Sequence, residues 1–160
     1  MTLHTISVLV ENKFGVLTRI AGLFSGRGYN IHSLNVAPSH IPDFSRMTIV
    51  VDEQEDRLNQ IIKQLNKLVN VVEVIDFRHG ENVFREIILL RVGFTKENRS
   101  ELLDLCNVFQ ARVVDATRDT LTIEISGGEF RLERFLTLLG DFEIQLLARS
   151  GRIAIPTPQG

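Results

Sequence analysis

The order of hydrophobic patterns along the chain limits its possible folds more than any other feature of the sequence. Alternating runs rich in β-branched residues predict strands, and apolar residues that recur every three to four positions predict amphipathic helices. In the first half these segments follow one another as β-α-β-β-α-β. The predicted strands cover residues 4–11, 30–38, 45–52 and 71–78, and the predicted helices begin at Gly15 and near Leu58.

The second half repeats this order, although few residues are identical at matching positions. The predicted strands cover residues 83–94, 111–118, 120–126 and 142–149, and the predicted helices carry Leu102–Phe109 and Leu132–Leu139. A segment with this order of elements is typical of the ferredoxin-like fold. We therefore predict an α+β protein with two ferredoxin-like βαββαβ domains in tandem.

The boundary between the two predicted domains lies near His79–Asn82. The first domain then covers residues 1–78 and the second covers residues 79–160. Pro156 and Pro158 follow the last predicted strand, so we expect the C-terminal tail to be loose.

The second strand of the first domain, residues 30–38, is more polar than its neighbours. It carries His32, Ser33 and Asn35 and ends in a proline, which suits the edge of a sheet. In the ferredoxin-like order, strands one and three are central, and strands two and four are edges. A domain of roughly 75 residues also has a small core. The unpaired edge and the small core together predict association with a second copy.

Composition excludes several classes of protein. The chain has 160 residues, of which 44% are hydrophobic and 24% are charged, and the net charge of −2 comes from interspersed residues, so a basic nucleic-acid surface is not expected. The central strands also lack the aromatic residues on which RNA-recognition domains stack bases. No apolar run reaches the ~18 residues of a membrane span, and the first residues lack the pattern of a secretory signal, so we expect none. The single Cys106 favours a reducing, cytoplasmic location.

No arrangement of residues in the sequence predicts catalysis or a metal site. The four histidines lack the spacing of metal ligands, and there is no cysteine pair. The acidic residues at 53, 55 and 56 precede a predicted helix, where negative charge complements the helix dipole. Gly127-Gly128 could hold an anion at a helix start, although a plain turn explains the pair as well.

The connection from the first strand to the first helix is the best candidate for a binding site. The first turn of a helix exposes backbone N–H groups that attract a carboxylate. Gly15 leaves room for a ligand there, and Asn12 offers both a donor and an acceptor. The structural alternative is that Asn12 and Gly15 only start the helix.

The connection at the other end of this helix carries Asn30, whose side-chain carbonyl could receive an ammonium group. Neutral amides suit a zwitterion because they serve either charge. We expect Asn12 and Asn30 to be two sides of one small site, with Val16, Leu17 and Ile31 around an aliphatic side chain. The structural alternative is that Asn30 is only a turn residue.

These stretches closely resemble one family. The run "ISVLVENKFGVLTRIAGLFSGRGYNIHSLNVAPS", followed by "SRMTIVV" and "KQLNKLVNVVEV", resembles the ACT domain of the small regulatory subunit of acetohydroxyacid synthase, also called acetolactate synthase. The later stretches "REIILLRV", "FQARVVDATRDTLTIEISG" and "ARSGRIAI" resemble the family's C-terminal domain more loosely.

The resemblance implies a regulatory subunit without a catalytic site of its own. It implies that two copies pair through their ACT domains and bind a branched-chain amino acid, usually valine, at the interface. It also implies a large catalytic subunit that uses thiamine diphosphate, Mg²⁺ and FAD. The small subunit would activate that enzyme and confer feedback inhibition, while this chain itself would need no cofactor.

The family's effector pattern, N-x-x-G-x-L with a later Y-N-I, maps onto Asn12, Gly15, Leu17 and Asn30-Ile31. One departure is the loop at 39–44, where many relatives carry an acidic residue and Pro-Thr; this loop leaves the identity of the effector open. Two other functions remain open from the sequence. The chain could be a separate ACT-type sensor for another enzyme or transporter, or a small enzyme such as an isomerase.

Overall fold

The computed structural model describes residues 2–159 and confirms the predicted order of elements. The first repeat contains β1 (Leu3–Glu11), α1 (Val16–Gly26), β2 (Ile31–Pro38), β3 (Phe44–Asp52), α2 (Glu55–Asn66) and β4 (Val71–Asp76). The second contains β5 (Asn82–Gly93), α3 (Arg99–Val108), β6 (Arg112–Ala116), β7 (Thr120–Gly127), α4 (Glu129–Leu138) and β8 (Glu143–Arg149). One further strand, β9 (Ile153–Pro156), follows.

The chain divides into two compact units that differ slightly from the two sequence repeats. The first unit contains the residues up to Val83 together with those from Arg152 onward, and the second contains Phe84–Gly151. The prediction of a loose tail is wrong, because the tail forms β9, which pairs with β5. Arg152 Nη1 also donates to Thr5 Oγ1 at 2.8 Å. The hydrogen bond to Thr5 attaches the tail to the first unit.

In the first unit the sheet has the order β2-β3-β1-β4, so β1 and β3 are central and β2 is an edge, as predicted. The two central strands pair antiparallel with Ile6 opposite Ile49 and Val8 opposite Met47. These four side chains are buried under the helices. The helices contribute fully buried apolar residues to the same core: Ile20, Phe24, Leu58, Ile61 and Leu65.

The second unit has the equivalent order, β6-β7-β5-β8. Ile88 lies opposite Ile125 and Leu90 opposite Ile123 in the antiparallel ladder. The helices cover these residues with Leu102, Cys106, Leu132 and Phe135. Each unit therefore has its own core on the helix-bearing face of its sheet. None of the helices described is long and apolar enough to cross a membrane.

Candidate functional site

Helix α1 begins at a glycine whose backbone conformation other residues rarely adopt. Gly15 has φ 84° and ψ −7°, and no side chain caps the helix there. A Cβ at this position would meet no atom within 4 Å. Glycine is therefore required by the left-handed backbone rather than by crowding, and the space in front of the helix start is open.

Asn12 has a fixed backbone and an exposed side chain. Its N–H donates to the Asp43 carbonyl at 2.7 Å, and the next N–H, that of Lys13, donates to the Glu11 carbonyl at 3.0 Å. Among residues 2–159 its side-chain amide makes no hydrogen bond. The backbone of Asn12 is thus fixed, and its side-chain amide is available to a ligand.

The first turn of α1 also presents backbone donors. The Val16 N–H donates to the Lys13 carbonyl at 3.3 Å, while the N–H groups of Leu17 and Thr18 have no carbonyl one turn earlier within the helix. Val16 lies in the core at 5% exposure, whereas Leu17 is 48% exposed. Of these two predicted site residues, only Leu17 presents its side chain to solvent.

Charged groups beside this helix start favour an anion. Lys13 Nζ lies 3.1 Å from Glu11 Oε2, Asn70 Nδ2 donates to the same oxygen at 2.9 Å, and Arg19 Nη1 donates to Asn70 Oδ1. The hydrogen bond from Asn70 and the pairing with Lys13 lower the pKa of the Glu11 carboxyl. The group therefore contains two cations and one ionised carboxylate, next to the positive end of the helix dipole.

Asn30 and Ile31 lie at the other end of α1. The Asn30 N–H donates to Glu53 Oε1 at 2.9 Å, and its carbonyl accepts the Asp52 N–H at 3.0 Å. Its exposed side-chain amide makes no hydrogen bond among the described residues, and Ile31 packs partly against the core. The sequence assigned Glu53 only to the start of a helix. Its hydrogen bond to the Asn30 N–H places it beside Asn30 as well. Its other carboxylate oxygen, Oε2, lies 2.9 Å from Arg57 Nε, so the charge of Glu53 is paired within the chain.

The two groups do not lie together in one chain. Along β1, Leu3 is opposite Asp52 and Glu11 is opposite Phe44. Because Asp52 bonds to Asn30, Asn30 lies near the N-terminal end of β1, whereas Asn12 follows its C-terminal end. A strand of this length extends over about 25 Å. Asn12 and Gly15 form one group, Asn30 and Ile31 form another, and the expectation that they are two sides of one site fails within a single copy.

The edge strand between these two groups is partly apolar. In β2, Leu34 lies opposite Ile49 and Val36 opposite Met47, so both point to the helix-bearing face. They remain 38% and 41% exposed, and β3 is the one strand that pairs with β2 among the described residues. An exposed apolar edge of this kind is suited to pairing with another strand.

The chain is similar to known proteins along nearly its whole length. Residues 6–73 match the model of the AHAS small subunit-like ACT domain, and residues 85–158 match that of the small subunit of acetolactate synthase. A probable acetolactate synthase small subunit from Archaeoglobus fulgidus is 47% identical over 95% of both chains. An acetolactate synthase small subunit from Mycolicibacterium smegmatis is 43% identical over 95% of this chain and 89% of that protein. The crystal structure of an acetolactate synthase small subunit from Thermotoga maritima superposes with a TM-score of 0.90, at 35% identity and full coverage of both chains.

Proposed function

The chain belongs to the family of acetolactate synthase small subunits, regulatory subunits without a catalytic site of their own, and from that premise we propose that it activates its catalytic subunit and confers inhibition by valine. The thiamine diphosphate, Mg²⁺ and FAD of the reaction would then be held by the catalytic subunit. The observation that carries the proposal is the open, left-handed start of α1 at Gly15. It combines free backbone donors, an available amide and nearby cations.

A pair of copies would bring the two separated groups together. If β2 pairs antiparallel with β2 of a second copy about a two-fold axis, the first residue of one strand lies beside the last residue of the other. The last residue of β2, Pro38, is opposite Ser45, at the same end of the sheet as Asn12. Asn30 of one copy would therefore approach the helix start of the other. The exposed Leu34 and Val36 supply apolar area for this pairing.

The chemistry of the combined site fits a free aliphatic amino acid. The carboxylate would accept the N–H groups of Leu17 and Thr18 near Lys13 and Arg19. The ammonium group would lie near the side-chain carbonyl of Asn30 of the second copy. Leu17, at 48% exposure, would contact the aliphatic side chain. Two such sites per pair would make the geometry of the pair depend on valine, and a typical coupling of ~1–3 kcal/mol to the catalytic subunit would give strong inhibition.

Gly15→Asp tests the site directly. The carboxylate would occupy the place of the valine carboxylate, so we expect valine affinity to fall by about 100-fold or more through charge repulsion. The catalytic subunit should still be activated. Calorimetry with valine and the rate of acetolactate formation with and without valine measure the two effects.

Gly80→Asp is the matched control for this substitution. Gly80 has φ 81° and, like Gly15, open space around a built Cβ, so it carries the same backbone strain away from the site. Normal valine inhibition in both variants would reject the proposed site. Loss of both activation and valine response in Gly15→Asp would indicate misfolding. It would also reject the expectation that this substitution removes valine inhibition without removing activation.

Co-expression of two variants tests whether a site is shared between copies. Gly15→Asp and Asn30→Ala should each lose valine binding. In a mixed pair, one site contains both substitutions and the other contains neither, so random pairing should restore about a quarter of the wild-type sites. Calorimetry gives the number of sites. If the mixture binds no valine, each site is built from one copy and the pairing proposed here is wrong.

A further inference from the structure

We propose that the loop between β2 and β3, residues 39–43, is a positioning element for the effector site and acts through the backbone conformation of Asp43. The inference rests on the proposed valine site at Asn12 and Gly15. It assigns a role to residues that do not themselves contact the effector. Their contribution is to fix the backbone of Asn12, from which its side-chain amide reaches the ligand.

The loop is closed by its own hydrogen bonds. The Ser39 N–H donates to the Phe44 carbonyl at 2.8 Å, and the Phe44 N–H donates to the Ile41 carbonyl at 3.2 Å. Ser39 Oγ lies 2.8 Å from the Phe44 carbonyl, to which it donates, and accepts the Ile41 N–H at 3.1 Å. Both ends of the loop are thus fixed without help from the ligand.

Asp43 is the residue through which the loop reaches the site. Its φ of 68° is left-handed, a conformation that the structure gives to one other non-glycine residue among those described, Gln110. In this conformation its carbonyl accepts the Asn12 N–H at 2.7 Å. Asparagine, aspartate and glycine tolerate such a backbone, whereas β-branched residues do not.

Asn12 is therefore held from both sides. Its own N–H is bonded to Asp43, and the peptide that follows it is turned by the Lys13-to-Glu11 hydrogen bond at 3.0 Å. If residue 43 left the left-handed region, its carbonyl would turn away from Asn12. The backbone at Asn12 would then sample several conformations, and binding would require the extra cost of ordering it.

A graded series at position 43 tests the inference in the full-length protein. Asp43→Gly keeps the left-handed backbone and should bind valine within about threefold of wild type. Asp43→Ala should bind more weakly, and Asp43→Val should lose about tenfold or more in affinity because β-branched residues disfavour positive φ. Calorimetry measures valine affinity, and activation of the catalytic subunit shows that each variant is folded.

Gln110→Val is the matched control, because it places the same residue at a left-handed position in the second unit, φ 53°. It should lower thermal stability about as much as Asp43→Val while leaving valine affinity unchanged. A strong loss of affinity in Asp43→Gly would overturn the inference, since the side chain and not the backbone would then matter. So would normal affinity in Asp43→Val.

The series also separates this inference from the proposed function. If Gly15→Asp abolishes valine binding while every variant at position 43 binds normally, the site stands and the positioning role is wrong. If the wild-type protein alone and with its catalytic subunit binds no valine, both are wrong.

Discussion

The two units share one order of elements but start their first helices in different ways. In the first unit α1 begins at the left-handed Gly15, and the Asn12 side chain before it makes no hydrogen bond among residues 2–159. In the second unit α3 follows Asn98, whose Oδ1 accepts the Thr95 N–H at 2.7 Å and the Thr95 hydroxyl at 3.2 Å. The same type of residue thus closes a turn in one unit and is left available in the other.

Residues with a left-handed backbone conformation lie at partly different places in the two units. A place that the two units do not share is one that the fold itself does not require. The connection after the first helix has one in both units, Gly28 in the first and Gln110 in the second, so the fold itself accounts for it. Gly15 and Asp43 have no left-handed counterpart in the second unit among the described residues. Both belong to the connection that begins at Asn12: Asp43 accepts the Asn12 N–H, and Gly15 ends the connection three residues later. Unusual backbone that the fold does not need and that is gathered at one connection is typical of a functional site.

The largest expected effect comes from removing a core phenylalanine in each unit. Phe24 and Phe135 are both fully buried, so each Phe→Ala change should destabilise its own unit by about 3–5 kcal/mol. Phe24 lies in α1, whose start carries the proposed site, so Phe24→Ala should weaken valine binding and accelerate amide exchange in the β1–β3 ladder. Phe135→Ala should accelerate amide exchange in the β5–β7 ladder and leave valine binding intact below its melting temperature. Hydrogen exchange and calorimetry measure the two outcomes.

Loss of valine binding in Phe135→Ala, with slow exchange retained in β1 and β3, would break the comparison. It would show that the site in the first unit depends on the second unit. Equal exchange in both units of either variant would instead show that the two cores unfold together.

Periodicity predicted the fold because each element is long enough to show it. The alternation through Ile6 and Val8 and through Met47 and Ile49 places β1 and β3 at the centre of the sheet, and Gly28 ends the helical segment in a left-handed conformation, φ 67°. Strand β9 was not predicted, since four residues with a proline show no period. Its pairing depends on contacts distant in sequence, which no local pattern reports.

The sequence proposed the residues of the candidate site but did not give their arrangement. Asn12, Gly15 and Leu17 are exposed at the start of α1, but Val16 is in the core. The distance of Asn30 from them follows from the topology, because a helix that connects two parallel strands runs back from the end of one strand to the start of the next. The roles of Glu53 and Asp43 come from hydrogen bonds to the backbone of Asn30 and Asn12. Every residue type except proline has a backbone N–H, so the sequence does not show which residue accepts a hydrogen bond from it.

The smallest expected effect contrasts the two asparagines directly. Asn98→Ala removes two hydrogen bonds at 2.7 and 3.2 Å and should destabilise the second unit by about 1 kcal/mol, without changing valine affinity. Asn12→Ala should do the opposite: it should leave stability within about 0.5 kcal/mol of wild type and weaken valine binding about tenfold. Denaturant unfolding and calorimetry on both variants measure the two quantities.

If Asn12→Ala destabilises its unit as much as Asn98→Ala does and binds valine normally, the two asparagines serve the same structural purpose. The proposed difference between the two units, with valine binding in the first unit alone, would then have no support from these two residues.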